Sequence, residues 1–247
     1  MRTIIALVST LALAACNGSA GAQEGEGIST DARGIARQSY NVGPFEGVAL
    51  AGAQNVVVTV GSAPSVRAEG DAETIERMEI KVEDGTLRVG MKRGNRLNID
   101  WSRDRPPVTV YVTMPSITSA AVAGSGDMTV NRVEGDRFSG SIAGSGDLEI
   151  AMLRVGAADF SIAGSGDIRA QGSIGKLNAA IAGSGDMDMA GVESRQADVN
   201  IVGSGDVKVR ATETADITIM GSGDVILGGS ARCSVTKRGS GDVRCGG

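Results

Sequence analysis

The sequence predicts an all-β fold: a right-handed parallel β-helix-like solenoid with coils of about 18-20 residues. Two observations carry the prediction. The tetrapeptide Gly-Ser-Gly-Asp occurs seven times, ending at Asp127, Asp147, Asp167, Asp186, Asp206, Asp224 and Asp242, at intervals of 20, 20, 19, 20, 18 and 18 residues. A fixed period of that length marks stacked supersecondary units. Within each unit the apolar period is two. Phe160 and Ile162, Ala179 and Ile181, Val199 and Ile201, and Ile217 and Ile219 precede the corner, alternating with small or polar residues. Ile168 and Ala170, Met187 and Met189, Val207 and Val209, and Val225 and Leu227 follow it. Strict alternation indicates a strand with one buried face.

Antiparallel hairpins would use similar turns, but they have no need to keep one unit length or to repeat one residue type at one offset. Coils stacked in register need both, and each strand then pairs with its copies above and below at about 4.8 Å. The right-handed sense follows from the handedness of parallel crossovers. Two glycines permit the sharp bend, and Ser and Asp offer hydrogen bonds to the backbone groups that the bend frees. The residue after each Asp points inward, so the Asp itself is expected to point out.

Residues 1-15 read as a lipoprotein signal peptide. Arg2 gives the positive start, and "TIIALVSTLALAA" is an apolar run too short to span a bilayer. It ends in Leu13-Ala14-Ala15-Cys16, which resembles the bacterial lipobox; Cys16 is then the lipidated N-terminus and the membrane a partner through its lipid. The alternative is an ordinary secretory signal. Asn17 in place of Asp favours the outer membrane over the inner, with the domain facing the periplasm or the surface. Residues 16-39, which include "NGSAGAQEGEG", are expected to form a flexible tether, because so polar a stretch cannot bury enough apolar surface to order itself.

The head domain is assigned to 40-247, with irregular coils over 40-118 and regular repeats over 119-247. In "LAGAQNVVVTV", residues 50-60, Ala53, Gln54 and Asn55 take the places of Ser, Gly and Asp. Asp71 is placed to cap a short helix through "AETIERM". "MEIKVEDGTLRVGM", residues 78-91, gives two alternating strands around Glu83-Asp84-Gly85. "VTVYVTMPSITSAAVAGSGD", residues 108-127, leads into the regular array.

"FEGVALAGAQNVVVTVG", "VRAEGD", "VEDGTLRVG" and "VTVYVTMPSITSAAVAGSGD" together resemble, in that order, the bacterial family of auto-transporter adhesin head GIN domains, over nearly all of residues 45-247. The resemblance implies a β-helix-like stack and a role in adhesion. It supplies no catalytic residues to carry over.

Composition narrows the chemistry. Histidine is absent, which excludes imidazole base catalysis and His-ligated metal sites. A net charge of −5 gives no reason to expect nucleic acid. The aspartate column would repel itself by only about 1 kcal/mol per neighbour in water, so it can stand without a metal. It would attract divalent cations such as Ca2+ weakly. It departs from the nonapeptide calcium repeat, in which one further residue separates the last glycine from the Asp. No cofactor is expected, and the tetrapeptide reads mainly as a corner. The outward Glu149, Arg169, Asp188 and Lys208 look like a solvated face.

One segment breaks the pattern. "KRGNRLNIDWSRDRPP", residues 92-107, carries Arg96, Trp101, Arg103 and Arg105. It reads either as a loop whose Trp packs on the solenoid edge or as a contact loop for an anionic glycan or other cell-envelope polymer. Cys233 and Cys245 flank the last corner at places equivalent to Ala158 and Ala170, both inward by the period of two. They are expected to form a disulfide that staples an end coil weakened by Lys237 at a core place; the alternative is two buried free thiols filling alanine-sized places. The expected function is non-enzymatic: a lipid-anchored envelope solenoid acting in adhesion or surface binding. A carbohydrate-active enzyme, a polysaccharide lyase or hydrolase on a β-helix, is the alternative.

Overall fold

The computed structural model describes residues 28-31, 35-92 and 107-246. The corner repeat dictates the larger part of it. After β1 (Ser29–Thr30), β2 (Ala36–Tyr40), β3 (Gly47–Gly52), β4 (Asn55–Val60) and β5 (Ser65–Gly70) comes one short helix, α1 (Ala72–Arg77). The strands β6 (Met78–Glu83), β7 (Thr86–Met91), β8 (Thr109–Met114), β9 (Ser119–Gly124) and β10 (Met128–Val130) follow. The regular array is β11 (Val133–Gly144), β12 (Leu148–Gly164), β13 (Ile168–Gly183), β14 (Met187–Gly203) and β15 (Val207–Gly221). It ends in β16 (Val225–Gly228), β17 (Arg232–Gly239) and β18 (Val243–Cys245). The stacked parallel coils form a β-solenoid of about 6 turns.

From β9 onward each coil lies on its predecessor in parallel register. Ile142, Ile162, Ile181, Ile201 and Ile219 form one inward column, and Leu148, Ile168, Met187, Val207 and Val225 another. Every one of these side chains is buried, as the period of two predicts. Phe138 and Phe160 pack against each other in the core with their ring centroids 5.9 Å apart. Gly140 sits opposite Phe160 because a β-carbon there would lie 2.6 Å from that ring.

Coils of unequal length stay in register at the corners because the difference is absorbed elsewhere. Between β12 and β13 the pairing slips after Ile150, where Ala151 and Met152 bulge opposite Gln171, and similar slips follow Arg169 and Met189. A bulge of this kind takes up an extra residue without disturbing the ladder on either side.

The N-terminal half departs from a simple continuation of the repeat. The β3–β4 coil lies directly under β9–β10, with Gly52 opposite Gly124 and Val56 opposite Met128. Beneath it lie β7 and β8, which come later in the chain. Beyond them the pairing turns antiparallel: β5 on β8, β2 on β5, and β6 on β7. The β6–β7 hairpin turns at Asp84 and Gly85, both at positive φ (50° and 71°), where the sequence places the turn. Asp71 caps α1 by accepting the Thr74 amide at 2.8 Å.

The ordered fold also begins earlier than the sequence indicates. β2 pairs with β5 through Ala36–Gly70 to Tyr40–Val66, and Ala36 is fully buried, so residues 36-39 belong to the sheet and not to a tether. "ARQSY" carries too little apolar signal to read as a strand; it is held by its neighbour's open edge. Among the described residues no helix is long and apolar enough to cross a membrane.

Candidate functional site

Each corner is a hydrogen-bonded joint between coils. The carbonyl of its first glycine accepts two amides from the next coil: Gly124 O takes Ser145 N at 2.9 Å and Gly146 N at 3.1 Å. The second glycine has no room for a side chain, since a β-carbon on Gly146 would lie 2.1 Å from Gly126 O. The aspartates complete the joint. Oδ1 of Asp127 accepts the Asp147 amide at 3.0 Å, and the pattern continues through Asp167, Asp186, Asp206 and Asp224 to the Asp242 amide at 2.7 Å. Asn55 starts the ladder by accepting the Asp127 amide at 3.2 Å.

This decides what the aspartate column can do chemically. One oxygen of each carboxylate from Asp127 to Asp224 is committed to the backbone, and the side chains run in single file along an exposed edge. Among the described residues no three His, Cys, Asp or Glu side chains converge as a metal site requires. The column's charge is offset locally. Arg169 bonds Asp167 at 2.7 Å and Asp147 at 3.2 Å. The hydrogen bond to Asp147 is the main cause of its pKa lying above the ordinary arginine value.

Cys233 and Cys245 are joined, with their α-carbons 6.3 Å apart. They occupy the predicted register positions, opposite Ala215 and Leu227. They are not core residues, however. Among the described residues nothing stacks on β17 and β18, so Cys233 is half-buried and Cys245 exposed. Lys237 stands in the isoleucine column, opposite Ile219, and turns back to donate to Gly241 O at 2.6 Å. Cys16, Arg96, Trp101, Arg103 and Arg105 lie outside the described residues.

One surface feature escaped the sequence. At the irregular end, β2, β5 and β8 border a cleft of about 730 Å³. β8 alternates Val110, Val112 and Met114 inward with Thr109, Tyr111 and Thr113 outward. The guanidinium of Arg67, on the antiparallel neighbour β5, lies 5.2 Å from the Tyr111 ring centroid. Glu69 anchors Arg67 at 3.2 Å while bonding Arg37 more closely, at 2.8 Å. The outward place of Tyr111 in "VTVYVTM" was the available signal. Its partner was not legible, because nothing in the repeat specifies an antiparallel β5.

The family described as "Putative auto-transporter adhesin, head GIN domain" matches residues 44-231. The structure resembles a putative adhesin from Bacteroides fragilis, with a TM-score of 0.76 at 20% identity over 85% of this chain and 95% of that one. A putative adhesin from Parabacteroides distasonis has a TM-score of 0.67 at 18% identity over the same shares. A protein from that organism described as a putative lipid binding protein has 0.66 at 20%, again over 85% and 95%. At such identities the likeness concerns the fold alone. No functionally curated protein matches the sequence. The match across most of the chain, together with the in-register corner ladder, places this chain in the auto-transporter adhesin head GIN domain family.

Proposed function

We propose that the chain is a lipid-anchored, non-enzymatic binding solenoid of the cell envelope that holds an anionic glycan or related envelope polymer. The adhesin-like character of the family supports a surface role. The observation that carries the non-enzymatic part is the ladder itself. The acid that the sequence repeats most often is already bonded through one oxygen to the backbone of the next coil. What remains outward is a stack of in-register rows, suited to presenting surface and poor at converging groups on a reacting atom. The anchor is Cys16, which holds the head off the outer membrane.

The test has two parts. Cys16→Ala releases the protein from membranes or leaves its precursor unprocessed; unchanged membrane retention without lipid on the N-terminal peptide refutes the anchor. A panel of envelope glycans is then screened for binding and, in parallel, for cleavage by the purified head domain. Binding without cleavage supports the proposal, and depolymerisation replaces it with the enzyme alternative. Within the same screen, Trp101→Ala separates a contact role of the basic loop, which lowers binding, from a packing role, which lowers the melting temperature alone.

A further inference from the structure

We infer that the cleft between β2, β5 and β8 is a binding site for an acidic saccharide, with Tyr111 as its stacking surface and Arg67 as the partner of its carboxylate. The inference rests on the binding-module reading and gives it a place and a ligand class.

Position is the first argument. Along the regular coils each outward residue stacks on its register equivalents in the coils on either side, as Glu149, Arg169, Asp188 and Lys208 do, so its neighbours come from one row. At the N-terminal end β5 runs antiparallel to β8, which sets Arg67 directly opposite Tyr111 and Ser65 opposite Thr113. Side chains from distant parts of the chain converge there and nowhere repeat.

Chemistry is the second. Tyr111 faces outward from β8 and is 37% exposed, and an aromatic ring offers the C–H faces of a sugar an apolar surface with a polar tip. Among the described residues Arg67 is the one charged residue lining the cleft, and the Glu69 carboxylate beside it is shared with Arg37. Among the described residues its guanidinium is oriented by the Tyr111 ring and by one ion pair, with Glu69, which leaves N–H donors of the planar fork for a carboxylate. Around them Ser39, Asn41, Ser65 and Thr113 bring neutral hydroxyl and amide groups, without side-chain partners among the described residues, to the same wall. Such mixed donors and acceptors suit the hydroxyl array of a sugar better than they suit a bare inorganic anion. The volume of about 730 Å³ lies in the range of small-ligand sites.

Arg67 over Tyr111 is also an ordinary way to stabilise a cross-strand pair, so the test must separate binding from stability. The purified head domain is titrated calorimetrically with a galacturonic acid tetrasaccharide and with a neutral galactose tetrasaccharide, and melts of each variant are recorded alongside. The acidic probe is expected to bind at least about tenfold more tightly than the neutral one, the equivalent of about 1.4 kcal/mol. Tyr111→Ala and Arg67→Gln each weaken it about tenfold or more, whereas Tyr111→Phe stays within about threefold. Amide exchange adds a readout that needs no variant: the acidic probe protects Ser65–Gly70 and Thr109–Met114. Wild-type binding that survives both variants, or protection confined to the regular coils, overturns the cleft while leaving the binding-module reading intact. Equal affinity for the two probes overturns the role of Arg67. Failure to bind the acidic probe, in a protein that binds other glycans of the panel, overturns the ligand class.

Discussion

Asp167→Ala tests whether the aspartate column is a structural joint. Asp167 Oδ1 accepts the Asp186 amide at 3.0 Å, and its other oxygen bonds Arg169 at 2.7 Å. Truncation leaves the Asp186 amide without its acceptor. A hydrogen bond to a charged partner is worth about 1.5–3 kcal/mol, and the 28% exposure of the Asp167 side chain argues for the lower part of that range, since water can replace the lost oxygen. Losing Arg169 is offset by relief from the neighbouring aspartates, each repelling by about 1 kcal/mol in water. The net cost is about 1–2 kcal/mol, which for a chain of this size lowers the melting temperature by roughly 2–8 °C. Asp167→Asn keeps the acceptor in place, as Asn55 already does at the start of the ladder, and is expected to cost about half as much or less. The assay is thermal melting of wild type and both variants, with and without millimolar calcium chloride. If Asn costs as much as Ala, the carboxylate is not acting as an amide acceptor. If calcium stabilises wild type and either variant abolishes the increment, the column is a cation site and the joint is secondary.

The remaining expectations concern the corner and the open end. Gly146→Ala drives a β-carbon to 2.1 Å from Gly126 O, so the coils must part; it should lower the melting point more than Asp167→Ala, while Ser145→Ala, at an exposed place, changes it little. Lys237→Ile restores an apolar residue to the core column beside unpaired strand edges and should cause concentration-dependent association in light scattering, because an inward charge is a common guard on such edges; a monomer at all concentrations refutes that guard. Reducing Cys233–Cys245, or replacing both with Ser, should speed amide exchange over residues 232-246 while leaving β12 to β14 protected. Uniform loss of protection would mean that the staple secures the whole stack and not its last coil.

The sequence by itself determined the repeating part of this protein. The corner spacing set which residues stack, and the period of two set which face inward. The glycines marked where the chain bends and the coils approach too closely for side chains. All of this is legible because a solenoid is nearly one-dimensional: each coil meets only its neighbours, so one period specifies every contact. The tertiary structure alone decided how the stack ends. β7 and β8 slip beneath a coil that precedes them in the chain, and β2, with hardly an apolar residue, is ordered by the open edge of β5. Those pairings satisfy strand edges that the repeat leaves exposed, and an open edge is a property of the assembled stack, not of any segment. The meeting of Arg67 with Tyr111 depends on the same closure. The carboxylate-to-amide ladder lies between the two cases: the sequence placed the aspartates in a column pointing outward, and only the folded geometry turned each toward the amide of the next coil.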